Sequence, residues 1–182
     1  QGVSSAASDV YKRQALDTLL MVPYLVPGIV MGIALVTRFN VPPLAITGTG
    51  LIIVLAVFIR RLPYAARAVA MALRQLSPSL EEAAISLGYR PWQAFVKVTV
   101  PLIAPGIMAG ALMSFVTAMN ELSASLVLYV GGTITMPVRI YLSVMDGEYG
   151  TASAMATILL ILTVLSVFAA FRLSGRKQSI LL

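Results

Sequence analysis

Residues 79–101 read SLEEAAISLGYRPWQAFVKVTVP, the one long amphipathic, charge-bearing stretch between very apolar segments, and its reading decides the fold. Ser79 is expected to act as N-cap of a short helix, with Glu82 three residues later completing a capping box. Glu81 and Glu82 fall in the first turn, where the helix dipole favours negative charge. Leu80, Ala83, Ala84 and Leu87 recur at i, i+3, i+4 and i+7 and so share one apolar face. Gly88 follows as a C′ residue able to take the left-handed conformation that ends a helix. Pro91 suits the first turn of a second helix, on which Trp92, Phe95, Val96 and Thr99 line one face and Trp92 and Phe95 brace the hairpin. The stretch predicts two short helices joined by a glycine turn and closed by Pro101.

Around this hairpin the composition is that of an integral membrane protein. The 182-residue chain is 59% hydrophobic and 11% charged, with mean hydropathy +0.92. Soluble domains run at about 45–50% apolar and about 25% charged. The net charge of +6 does not signal nucleic acid, because the basic residues flank apolar spans instead of clustering with aromatics on a soluble face. The chain has neither Cys nor His. That removes disulfides, Cys or His metal sites, and catalysis of the Ser-His kind. No phosphate-binding G-x-x-x-x-G-K-[ST] motif occurs. An intramembrane aspartyl protease needs paired Asp in apolar helices, whereas Asp17 and Asp146 sit at span edges.

Four spans are expected, at about 16–37, 49–75, 101–120 and 151–171, within an all-α domain over 15–173. A crossing helix needs roughly 20 mainly apolar residues. The first span holds Pro23, Pro27 and Gly28, tolerated in a bundle where neighbours satisfy the freed backbone groups. The second is apolar only through Ile59, so it is expected to continue through Pro63 towards Gln75, with Arg60, Arg61 and Arg67 near the cytoplasmic interface, where long Arg side chains can snorkel. The third carries Gly106 and Gly110, small residues that permit close helix approach. It runs into Asn120 and Glu121, and a carboxylate there is a functional group, a hydrogen-bonded bundle contact or simply a helix end at the interface. Residues 131–150 read as a polar loop, holding Arg139, Asp146, Glu148 and Tyr149. Residues 1–14 lack the apolar core of a signal peptide and are expected to be a non-native tail, so Lys12 and Arg13 carry no topological weight. Residues 174–182 are expected to be a cytoplasmic tail.

Charge sets the orientation. With the segment 77–100 inside the cell, the inner segments hold Arg74, Arg90, Lys97, Arg172, Arg176 and Lys177 and the outer loops only Arg38 and Arg139. This is the positive-inside pattern.

Glu82-Ala83-Ala84, three residues, Gly88, nine residues and then Val98-Thr99-Val100-Pro101 resemble the EAA signature of ABC importer permeases, with Val98 and Val100 in place of Ile and Leu. The run Asn120-Glu121-Leu122-Ser123-Ala124-Ser125 is similar to the corresponding segment of the ferric-iron permeases. The resemblance covers about Leu16 to Leu173 and implies a helix bundle of the type I importer kind, present as the later part of a longer unit. It implies that Leu80, Glu82, Ala83, Ala84, Leu87, Gly88, Trp92 and Pro101 belong to the loop that couples to a cytoplasmic ATPase dimer. It further implies an external substrate-binding protein, a second permease unit (a homodimer or a fused half), a bacterial inner-membrane location and ATP bound by the partner, with no cofactor on this chain. Asn120, Glu121 and Ser123 are candidates for the substrate path. Ferric iron is the expected cargo, with Glu121 and Tyr phenols as hard oxygen donors. Thiamine, polyamine, sulfate and aminoethylphosphonate permeases share the hairpin motif. A membrane subunit that moves nothing is the alternative from another class.

Overall fold

The computed structural model describes Tyr11, Gln14, Ala15 and residues 18–178. Most of the expected non-native tail, Lys12, Arg13, Leu16, Asp17 and the end of the cytoplasmic tail at 179–182 lie outside the described residues. Among the described residues every regular element is helical. The helices are α1 (Thr18–Leu25), α2 (Gly28–Phe39), α3 (Gly50–Arg74) and α4 (Ser79–Ser86). They continue with α5 (Pro91–Met119), α6 (Ser125–Leu128), α7 (Met136–Met145) and α8 (Tyr149–Gln178).

The chain forms two compact units. One comprises residues 1–63 with Asn120–Ala156, the other Tyr64–Met119 with residues 157–182. In the first unit α1 and α2 meet at a bend of 98°. The bend falls at Pro27, which has no N–H to give and disfavours helical geometry at Val26 before it, whereas Pro23 is accommodated inside α1. The core of this unit joins Leu35, Ile52, Ile53 and Ala56 to Ala124 and Leu128. Gly32 lets α2 approach closely: a Cβ there would stand 3.0 Å from the Val127 Cβ.

In the second unit the small residues expected to allow close approach do so. A Cβ on Gly106 would come 2.5 Å from the Ala72 Cβ, and one on Gly110 would overlap the Ala68 Cβ. Two glycines and two alanines, each pair four residues apart, therefore bring α5 and the later half of α3 nearly backbone to backbone.

By length and composition α5 and residues Tyr149–Arg172 of α8 are each able to cross a membrane, and α1 with α2 pass the same test as a bent pair. The remaining expected span, α3, does run unbroken through Pro63 for 25 residues. Every 18-residue stretch of it includes Arg60, Arg61 and Arg67, which sets it apart in composition. Two boundaries differ from expectation. The helix that carries the third expected span does not begin at Pro101, because α5 is continuous from Pro91 and both Pro101 and Pro105 lie inside it. The interval 131–150 is not only a loop, since it holds α7, whose Val138 is fully buried and whose Pro137 sits in the first turn, where a missing N–H costs nothing.

Candidate functional site

The hairpin forms, with its turn built as its glycine predicts. Gly88 has φ +95°, the Tyr89 N–H donates to Ala84 O at 3.2 Å and the Gly88 N–H to Ile85 O at 2.9 Å. These two bonds are the Schellman closure, which satisfies the last carbonyls of α4. Pro91 opens α5, and Gln93 Oε1 accepts from the Arg90 N–H at 3.1 Å. The start of α4 differs. Pro78 is the N-cap, Ser79 is already inside the helix, and no side chain caps the terminus. Ser79 Oγ instead lies 2.6 Å from Ser77 Oγ. The box between Ser79 and Glu82 is therefore absent; Pro78, pre-set to the helical φ, starts the helix one residue early.

The two arms are held by contacts that the motif does not advertise. Ala84 and Ala94 are buried between them. Buried Thr99 donates its hydroxyl to Glu81 Oε2 at 3.3 Å, so Glu81, not Glu82, reaches across to the second arm. Lys97 Nζ lies 5.2 Å from the Tyr89 ring centroid, in the range of a cation–π contact. A cavity of about 210 Å³ behind the first arm is lined by Leu73, Leu76, Pro78, Leu80, Thr99 and Leu102. Residues 95–99 form one π-helical turn within α5. Such turns insert a single residue and recur at functional sites.

Trp92 and Phe95 do not brace the hairpin. They are exposed, Trp92 at 63%, whereas the small residues Ala84 and Ala94 are the buried apolar ones of the two arms. The expected apolar face of α4 divides in the same way: Ala84 turns inward, while Leu80, Ala83 and Leu87 stay exposed, Leu87 at 82%. Glu82 is exposed and Pro101 lies on the outer surface of α5. Of the coupling residues named from the sequence, only Ala84 is buried within the hairpin.

The second candidate region is in the other unit. Glu121, 5% exposed, accepts from Arg60 Nη1 at 2.6 Å and from Arg61 Nη2 at 2.5 Å, one guanidinium on each carboxylate oxygen. The Ala124 N–H adds a third bond to Oε1 at 3.2 Å. The buried face of α3, Ile52 and Ala56, continues at the same four-residue spacing into Arg60. Buried Gly28 makes room for that arginine: a Cβ there would overlap Arg60 Nη1 and stand 2.6 Å from the Ser123 Cβ. Arg60 and Arg61 thus point to a carboxylate instead of snorkelling to an interface. Their side chains are 17% and 14% exposed. Removing one partner of such a pair costs about 3–5 kcal/mol, because the other charge stays buried. Asn120 and Ser123, on either side of Glu121, are exposed. The hydrogen-bonded bundle contact is the role this geometry describes for Glu121, whose two oxygens accept three hydrogen bonds from its own unit.

Sequence reading missed the partners of Glu121 and the Glu81–Thr99 tie. The signal for the first was present: a carboxylate amid apolar residues calls for a cation, and Arg60 and Arg61 are the basic residues beside an equally apolar run. Among the described residues no group of three or more acidic residues is placed to hold a metal.

Comparison with known proteins agrees with this architecture. The model of the family described as "Binding-protein-dependent transport system inner membrane component" matches residues 2–180. The chain is 37% identical over 153 residues to the ferric transport system permease protein FbpB of Actinobacillus pleuropneumoniae, covering 84% of this chain and 22% of that protein. It is 31% identical over 179 residues to the sulfate transport system permease protein CysT of Escherichia coli, covering 90% and 64%. Identity is 29% over 167 residues to the putative 2-aminoethylphosphonate transport system permease protein PhnV of Salmonella typhimurium, covering 92% and 63%. The chain thus spans about a fifth of the ferric relative and just under two thirds of the other two. Among solved structures, a chain of the inward-facing MetNI methionine ABC transporter superposes with TM-score 0.78 at 20% identity, covering 93% of this chain and 77% of that one. That likeness is one of fold, a helix bundle of the ABC importer permease kind. A match running nearly end to end, over a fold whose hairpin carries the glycine turn its signature demands, places this inner-membrane chain in the binding-protein-dependent transport system inner membrane component family.

Proposed function

We propose that the chain acts as a permease subunit of an ABC importer, receiving mechanical work from a cytoplasmic ATPase through the hairpin at 79–101 and passing cargo delivered by an external binding protein. The observation that carries this reading is the hairpin's inversion: its turn is rigidly closed while Leu80, Leu87, Trp92, Phe95 and Val96 remain uncovered. An apolar helix face laid in a partner's groove is a standard recognition mode. In this reading Leu80, Ala83, Leu87 and Trp92 make the contact, Ala84 and Gly88 hold its shape, and Pro101 lies on the arm that carries the motion. Glu82, free of the capping role, pairs with a basic residue of the ATPase. ATP is bound by that partner, and this chain has no catalytic step of its own. A second permease unit, as a separate copy or a fused half, completes the pathway in the lipid bilayer.

Ferric iron is the proposed cargo, supported by the ferric relative at 37% identity. Sulfate is the second reading, favoured by a relative at 31% identity over a larger share of its length. Asn120 and Ser123, exposed beside Glu121, are the proposed cargo-facing residues, with Glu121 as their support. The test is reconstitution of the chain with its ATPase and binding protein in liposomes loaded with ATP. Uptake of radiolabelled ferric iron is expected, and Leu87→Ser with Trp92→Ser is expected to abolish ATPase co-purification. Uptake of sulfate instead would reassign the cargo, and failure of the unaltered chain to retain an ATPase would leave a non-transporting membrane subunit.

A further inference from the structure

We infer that the cavity behind the first arm of the hairpin is a socket for one long basic side chain, lysine or arginine, of the partner ATPase, with Glu81 as the group that receives its charge. The inference rests on the importer reading above and deepens it, giving Glu81 a role separate from that of Glu82 on the exposed face.

The cavity lies wholly within one unit, between the end of α3, α4 and the early part of α5. Leu73, Leu76, Leu80 and Leu102 wall it, Glu81 and Thr99 lie on it, and no basic residue lines it. Glu81 is half-buried there, whereas Glu82 beside it is exposed. Among the described residues Glu81 makes no ion pair, and its carboxylate receives a single hydrogen bond, from the neutral Thr99 hydroxyl at 3.3 Å. Glu121, by contrast, holds two guanidinium groups. A carboxylate set against leucine side chains without a cation is under-compensated. The charge on this wall calls for a cation from outside the chain.

The carboxylate is also held in place. Thr37, Thr117, Thr163 and Ser166 each give their hydroxyl to the carbonyl four residues earlier in their own helix. Thr99 does not. It closes the π turn, in which the Phe95 carbonyl accepts from the Val100 N–H five residues on, and its hydroxyl crosses to Glu81 Oε2. Among the described residues nothing donates to Oε1, which remains for a second donor. The cavity holds about 210 Å³, and an apolar cavity of about 150 Å³ already takes a benzene ring. The apolar stem of a lysine or arginine suits the leucine walls while its charged head meets the carboxylate. Leu80, 45% exposed, is both a wall of the cavity and part of the face proposed to meet the ATPase, so that contact surface continues into the socket. This continuity assigns the occupant to the ATPase.

Glu81→Gln removes the charge and keeps an oxygen that can accept from Thr99. The experiment measures the affinity of the full chain in detergent for its purified ATPase at low and high salt, beside the unfolding midpoint of the chain alone. Glu81→Gln is expected to weaken ATPase binding by about tenfold or more, the size of a hydrogen bond to a charged group, and to reduce the salt dependence. The midpoint of the chain alone is expected to hold or rise, because the variant no longer sets an unpaired charge against leucines. A fall in that midpoint would mark Glu81 as a structural carboxylate and overturn the socket. Glu81→Lys, in a chain that keeps the parent's midpoint, is expected to abolish binding, and exchange of one basic residue of the ATPase for Glu is expected to restore it. If no such exchange restores binding, the cavity serves a soluble amine or a lipid headgroup and the assignment to the ATPase is overturned. Equal affinity of Glu81→Gln and the unaltered chain likewise overturns the socket while leaving the importer reading intact. If the unaltered chain binds no ATPase, the importer reading falls first and the socket falls with it.

Discussion

The hairpin at 79–101 and the cluster around Glu121 solve opposite problems. The hairpin is chemically polar in outline yet displays its large apolar side chains, with Leu87 82% and Trp92 63% exposed. The cluster lies among apolar residues yet buries charge, with Glu121 5% exposed between two arginines. Burial of large apolar groups is the principal favourable term in folding, so a hairpin that declines it has its shape set by other means: a Schellman turn, two alanines and the Glu81–Thr99 bond. The cluster compensates its buried carboxylate within its own unit, through two guanidinium groups and one backbone N–H. In the proposed reading one region is completed by a partner, whereas the other is held by contacts within the chain.

Three substitutions break or sharpen this contrast. Glu121→Ala leaves two arginines facing each other and is expected to destabilise the protein by about 3–5 kcal/mol, read as a lowered unfolding midpoint in detergent. Gly88→Val places a β-branched side chain at φ +95° with open space around it. Strain of about 1–2 kcal/mol is expected there, with a loss of ATP-dependent uptake larger than the loss of stability. Unchanged uptake in that variant would remove the turn from the coupling role. Leu87→Ser is expected to change stability by less than about 0.5 kcal/mol, as surface substitutions do, while weakening ATPase binding. If Leu87→Ser instead unfolds the protein as Glu121→Ala does, the two regions are alike and the contrast fails.

The hairpin was legible from sequence because its signals are local. A glycine at the helix end, a proline at the next helix start and a four-residue apolar period all act within a few residues, and each produced the expected element. Ser79 misled because Pro78 competes for the same capping position and prevails. Pro101 misled as a boundary because a proline early in a long membrane helix removes a bond that its surroundings tolerate. The cluster was only half legible. Glu121 announced itself as an expensive group, but its partners lie 60 and 61 residues away on another helix. Nothing local in Arg60-Arg61 distinguishes a snorkelling pair from a buried one. The tight approach at Gly106 and Gly110 was foreseeable in kind, since small residues invite it, but the opposing Ala68 and Ala72 became evident only in the fold.

The π turn at Phe95–Thr99 sets a phase. Each residue of an α-helix turns the chain by roughly 100°, and a π turn absorbs one residue without advancing the helix by a corresponding step. The faces of α5 before and after it are therefore offset from those of an unbroken α-helix. Trp92 and Phe95 at one end, and Gly106 and Gly110 further on, hold their relative azimuths only while that extra residue stays in place. Relaxing the turn to α-helical geometry would rotate the distal helix by about one residue's angle and lengthen it by about one residue's rise, roughly 1.5 Å. The same rod can in this way carry torque as well as push and pull.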